Sequence, residues 1–280
     1  MDVQEEEIKY LKARLSVHEN KKGNQGEKDE LLVQIELFYL NQQGQYDTLV
    51  KIFGEDASQG IMILDINTRE EILNMEAFSK APSTSKADCI IQMKKTGMIY
   101  HPSIKSKNCA PPSILNHTPR SAKVFQENGA LYTYLNSLDT LMAEYIDKRT
   151  RSLINEDISV GDLECLTDPS IKSDFMNVLG YFVFEGTGER ESNLKSDSIL
   201  YYKYNNNDNI IEFITCISNE DKINYLETIF DKMIISLRDK GMPTDIPRNQ
   251  QKLEYCQNWI YLDGQKKKGS LHIRIDEIQL

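Results

Sequence analysis

The sequence predicts a mixed α/β fold. Three features predict it: apolar residues at helical spacing in several segments, β-rich runs bounded by turn-forming clusters, and the interleaving of the two along the chain. The chain has 280 residues, 40% hydrophobic and 27% charged, which is the composition of a globular protein with material for a sizeable core. The order of the segments implies a helical N-terminal part over 1–60, a central part over 61–154 and an α+β C-terminal part over 155–280, or one continuous domain made of all three.

Ile8, Leu11 and Leu15 recur at helical spacing and predict a first helix over 3–17, broken by "KKGNQG". A second helix is expected from about Lys28 to Leu40, with Leu31, Leu32, Ile35 and Phe38 facing inward, and a short apolar segment follows and ends at Gly54. "IMILDI" over 61–66 reads as a strand, after which Asn67 is placed to cap a helix through "TREEILNMEAFS". Two strand-like runs come next, one with Asp88 and one with Lys105, joined across "KKTG". Pro102 has no N–H for a central ladder, so an edge, a bulge or a late strand start is expected there.

Leu131, Leu135, Leu138, Met142 and Tyr145 form a helical stripe within 129–154, and another helix is expected from Pro169 to about Phe184. "SILYYKY" and "IIEFITCI" flank "NNNDN" as a hairpin. Ser218 is placed to cap a long helix read through to Gly241, with Pro243 beyond it. The stretch "NWIYLDGQKKKGSLHIRI" predicts two strands around a basic loop.

The chain contains no run of about 18 apolar residues, so no membrane span is expected. Its first residues are acidic and amphipathic, unlike a secretion signal. The five cysteines form no CxxC pair, and the four histidines have no metal spacing. Together these argue against zinc and a disulfide framework, and for an intracellular, reducing, cytoplasmic setting.

The net charge of −10 disfavours a nucleic-acid binder at first sight, because phosphate contacts need cations. Its distribution matters more than the sum. Between Lys86 and Phe125 stand seven cations (Lys86, Lys94, Lys95, Lys105, Lys107, Arg120 and Lys123) against the single acid Asp88. A basic island in an acidic chain is compatible with a DNA cleft.

Within that island, Asp88 is followed by Ser103-Ile104-Lys105. Hydrolysis of a phosphodiester needs a carboxylate-held cation that acidifies water, and a lysine that orients this water or stabilises negative charge. Alternation on a strand puts Ser103 and Lys105 on one face and leaves the Ile104 carbonyl available to an ion. Asp88 and "SIK" resemble the centre of the PD-(D/E)xK nuclease superfamily, specifically the type II restriction endonucleases that read Ser-x-Lys. The segments "YFVFEGTG…SDSIL" and "KGSLHIRI" also resemble C-terminal parts of such enzymes.

The resemblance implies a PD-(D/E)xK-like central sheet flanked by helices. It also implies Mg²⁺ held by Asp88 and the Ile104 carbonyl, with Asp88, Ser103 and Lys105 at the reacting centre. The activity implied is sequence-specific cleavage of double-stranded DNA by a homodimer. Ser103 is a poor ligand for a hard dication, so another carboxylate is needed. Glu30, Glu36, Glu76 and Glu127 are candidates, with Glu36 placed slightly ahead because its helix has an apolar opposite face.

DNA contacts are expected from Lys107, Asn116, His117, Arg120 and Lys123, and from Lys266, Lys267, Lys268 and Arg274 at the basic loop and its following strand. The competing expectation is a non-catalytic nucleic-acid- or protein-binding module with a degenerate nuclease fold.

Overall fold

The computed structural model describes residues 3–20, 24–108, 113–116, 121–151, 158–187, 190–204, 209–239, 260–263 and 267–275. In chain order the helices and strands begin with α1 (Val3–Glu19), α2 (Gln25–Gln42), α3 (Tyr46–Phe53), β1 (Ile61–Leu64), β2 (Ile90–Met93), β3 (Ile99–Tyr100) and β4 (Pro102–Ser106). They continue with β5 (Ser113–Asn116), α4 (Leu135–Thr150), β6 (Ile158–Ser159), α5 (Pro169–Gly180), β7 (Gly186–Thr187) and β8 (Arg190–Glu191). The last are β9 (Ser198–Tyr204), β10 (Asn209–Thr215), α6 (Asn219–Phe230), β11 (Met233–Asp239), β12 (Ile260–Asp263) and β13 (Lys267–Ile275). The class is mixed α/β.

The chain gathers into two compact units, one of Met1–Ala110 with Leu194–Ile217, the other of Pro111–Asn193 with Ser218–Gln279. This division differs from the three consecutive parts expected from the segment order. The reason is the partner of β4: it pairs in parallel with β9, so residues beyond 194 return to the first unit and complete its sheet.

The first unit holds two three-stranded sheets, ordered β1-β2-β3 and β10-β9-β4. α2 organises them. Asn24 and Glu27 close a capping box at its start, and the helix packs against α1, α3, β1 and β4. Leu32, Ile35 and Phe38 are buried as their spacing predicts, and Val33 and Leu37 are buried with them, so α2 is enclosed on nearly every side. Ile104, Leu200 and Tyr202 from β4 and β9 join the same core.

α1 forms over the expected segment but turns the other way. Ile8, Leu11 and Leu15 are 50 to 56% exposed, and the inward face is Tyr10, Ala13, Arg14 and Val17. The aromatic and ionic contacts of Tyr10 and Arg14 on α2 decide the orientation.

Two expected helices are not present as read. After β1, Asp65 Oδ1 accepts the N–H groups of Asn67 and Thr68 at 2.8 Å each, and Arg69 adopts φ 65°. Ile72 N–H then returns to Ile63 O at 2.9 Å, so 67–79 doubles back on β1, leaving only a 3₁₀ turn at Met75–Ala77. The local Asx turn outcompetes the cap.

In the second unit α6 starts at the Ser218 capping box and ends at Phe230. The residues read as its continuation are β11, where fully buried Met233 and Ile235 alternate and pair with β13. β-branched alternation prevails over helical reading there. Gly241 and Pro243 lie outside the described residues.

The sheet of this unit runs β12-β13-β11-β6, with β5 also on β13. Asp263 pairs with Lys267, so the expected terminal hairpin is present, with Lys267 and Lys268 inside β13.

Candidate active site

β4 is the edge strand of its sheet and begins at Pro102. Its odd-numbered side is turned to β9, since Lys107 N–H reaches Tyr202 O at 2.8 Å. Even-numbered residues therefore direct N–H and C=O to the open edge, where proline's missing donor costs no ladder bond. This is the late start that Pro102 predicts.

Asp88 closes that edge. Its N–H donates to Pro102 O at 2.9 Å, and Ile104 N–H donates to Asp88 Oδ2 at 2.7 Å. Asp88 stands just before β2, and Lys105 lies on a strand of another sheet, so the two are not partners in one hairpin. The chain leaves β3 at His101 and enters β4. The Asp88–Ile104 contact brings the two expected residues together.

A continuous hydrogen-bonded chain follows. Ser103 Oγ donates to Asp88 Oδ2 at 3.3 Å and accepts from Lys105 Nζ at 2.7 Å. Ser103 is 1% exposed. It holds the lysine amine beside the carboxylate without adding a second negative charge.

α2 supplies the other carboxylate. Burial, and after it the charge of Asp88, pushes the Glu30 carboxyl up to about 7, while Lys105 and Lys80 pull it down. Lys80 also pairs with Glu27 one turn earlier on α2. Next to Glu30, fully buried Asp29 accepts from Ser106 Oγ and, at 3.0 Å, from Asn108 Nδ2. This ties α2 to the end of β4.

Lys86 is a further cation here, half-buried two residues before Asp88. Burial first, then the like charge of Lys105, lowers its amine to about 7 against the pull of Asp88. A cleft beside Asp88 is lined by Gln34, Asp65, Ile72, Lys80 and Cys89.

Glu36 is committed elsewhere. It accepts from Arg14 Nη1 at 2.8 Å and from the Tyr10 hydroxyl, a buried network between α1 and α2. Its helix face explains the difference: six residues after Glu30, it points to α1. Glu76 and Glu127 are exposed. Among the described residues no group of three or more His, Cys, Asp or Glu side chains converges as a metal site.

Lys107 belongs to the first unit, one alternation beyond Lys105. Asn116, Lys123, Lys267, Lys268 and Arg274 belong to the second. Asn116 pairs with His272 at the end of β5, and exposed Lys123 sits in a 3₁₀ turn. Arg274 is half-buried in β13 between β11 and β5, a more enclosed place than the free arm of a hairpin. His117, Arg120 and Lys266 lie outside the described residues.

Lys80 and Lys86 stand beside Asp88 although neither is among the residues that the sequence motif marks. The "KAD" spacing put Lys86 two residues from Asp88, which was the available signal. No protein-family model matches the chain, and no curated protein matches it in sequence.

Proposed function

We propose that the protein is a Mg²⁺-dependent endonuclease of the restriction type, which hydrolyses phosphodiester bonds of double-stranded DNA at particular sequences. The observation that carries the reading is the hydrogen-bonded chain Asp88–Ser103–Lys105, with Glu30 near enough that the charges of Asp88 and Lys105 act on it. Two carboxylates stand close enough that the charge of one discourages ionisation of the other, an arrangement a dication relieves. Asp88, Glu30 and the edge-facing Ile104 carbonyl are hard oxygen donors of the kind Mg²⁺ takes, with the rest of its shell left to water and phosphate oxygens. The bound ion would supply polarisation of the phosphate and a water of lowered pKa.

The protein's own groups do the remaining work. Lys105, steadied by Ser103, stabilises negative charge on the phosphate as water oxygen bonds to phosphorus. One P–O bond to a sugar breaks, that oxygen takes up a proton, and the ends carry a phosphate and a hydroxyl. Asp88 keeps its position through two hydrogen bonds to the edge of β4.

Plasmid incubated with Mg²⁺ should give discrete fragments, and EDTA should prevent them. Asp88→Asn keeps an oxygen for the Ile104 N–H and loses the charge, so it should remain folded and cut nothing. Cleavage by that variant at the wild-type rate would remove Asp88 from the chemistry. The neutral Ser103 in place of a second strand carboxylate favours the alternative, a binding module of degenerate nuclease fold. DNA binding without cleavage in any divalent cation would establish it.

A further inference from the structure

We propose that Lys107 and Lys203 form a phosphodiester subsite adjoining the reacting centre, which takes the backbone phosphate next to the scissile one. The proposal rests on the nuclease reading for the identity of the neighbouring phosphate. The geometry of the two strands carries it.

β4 and β9 are parallel, with Lys105 opposite Tyr201 and Ser106 opposite Tyr202. The Lys107 N–H extends the ladder to Tyr202 O at 2.8 Å, which sets Lys107 beside Lys203. Strand alternation then puts Ser103, Lys105 and Lys107 in one column, and Ile199, Tyr201 and Lys203 in the next column of the same face. The Lys107 amine confirms the face, lying 5.8 Å from the centroid of the Tyr201 ring. Adjacent strands are about 4.8 Å apart, and two residues along a strand span about 6.6 Å. The register thus sets the two lysines side by side at the strand ends, one step from Lys105 and of the order of one nucleotide away. Glu212, across from Tyr201 on β10, is the acid on the far side of this face.

The backbone that carries them is held. Asp29 secures Ser106 and Asn108 on either side of Lys107, and Asn108 N–H donates to Ser106 Oγ at 3.1 Å. Asn108 Oδ1 accepts Tyr204 N–H at 2.8 Å, next to Lys203. One buried carboxylate therefore presents both lysines from a fixed strand end, while the Lys203 side chain is exposed. Cations on rigid elements lose less entropy on binding a phosphate than cations on loops.

The test is Lys107→Gln/Lys203→Gln, with Lys107→Arg/Lys203→Arg as the charge-preserving control. Binding of a short duplex in Ca²⁺ should weaken several-fold in the Gln pair. The slope of log K against log salt should flatten by about 0.9, the share of one phosphate. The Arg pair should keep the wild-type slope. If the double Gln variant is poorly folded, the exposed Lys203→Gln alone should flatten the slope in the same direction.

A wild type that cleaves, with Gln variants of unchanged affinity and salt slope, overturns the subsite and leaves the nuclease reading intact. A wild type that binds with this lysine-dependent slope but never cleaves supports the subsite and removes the hydrolytic reading. A wild type with no affinity for duplex overturns both.

Discussion

The charge of Asp88, just before β2, is second only to burial in raising the carboxyl of Glu30 on α2 to about 7. Of Glu30 and Glu36, both on α2, Glu30 is the one that the charge of Asp88 acts on, whereas Glu36 is held by Arg14.

Glu30 starts from an ordinary value of 4.5 and is raised in the folded chain, so between pH 4.5 and about 7 the folded state holds a proton that the unfolded state has lost. Stability therefore falls as pH rises through that window. Glu30→Gln should be more stable than wild type at pH 8 by about 3 kcal/mol, at 1.36 kcal/mol per pKa unit, and equal to it below pH 4. Urea unfolding across pH, repeated with Mg²⁺, measures this. Mg²⁺ should offset the alkaline loss in wild type and stabilise the variant less. Parallel pH profiles for the two proteins would place Glu30 outside the site.

Glu36→Gln should spare the cleavage rate per folded molecule and cost stability. Removing one partner of a buried ion pair typically costs about 3 to 5 kcal/mol, because the other charge is left without compensation. Here that charge is Arg14. Denaturant melts and cleavage assays on the same preparation separate the two effects. A rate loss with intact stability would return Glu36 to the chemistry.

Lys105→Ala should lower the cleavage rate by roughly a hundred- to a thousand-fold, the cost of one donor to transition-state charge, and change affinity in Ca²⁺ far less. Ser103→Ala removes the acceptor of a single 2.7 Å bond to Lys105, so its rate loss should be nearer tenfold, about 1 kcal/mol. Equal losses of rate and affinity in Lys105→Ala would make it a phosphate contact only.

His101 is a brace between strands. Its N–H and Nδ1 each meet Asp197 at 2.7 Å, joining the starts of β4 and β9. Burial raises the Asp197 carboxyl, but the hydrogen bonds of His101 win and hold it below the ordinary value of 3.8. The stability this contributes is present above pH 3.8 and is lost as pH falls through the folded value. His101→Gln should cost about 1 to 3 kcal/mol at pH 7 and leave the cleavage rate unchanged. A rate loss that follows imidazole titration would contradict this.

Much of the local structure was legible. The helical spacing of 3–17 and 28–40, the hairpin around "NNNDN", the Ser218 cap and the edge position of Pro102 all rest on interactions within a few residues, and short windows record such interactions. The windows failed where two local options competed. At 67–79 the Asx turn of Asp65 displaced a helix, and at 233–239 pairing with β13, with Met233 and Ile235 buried, made a strand from a helix-like continuation.

For the candidate site, the sequence by itself determined the inventory: Asp88, the Ser103-Ile104-Lys105 run, the surrounding excess of cations, and a helical glutamate among four. Only the tertiary structure chose Glu30 over Glu36, because both lie on α2 and the choice depends on which face meets β4 and which meets α1. It also drew Lys86 into the site and aligned Lys203 with Lys107, through a parallel pairing of β4 with residues far along the chain. Chemical type is a property of each residue, whereas convergence depends on long-range burial and strand register, which no single segment contains.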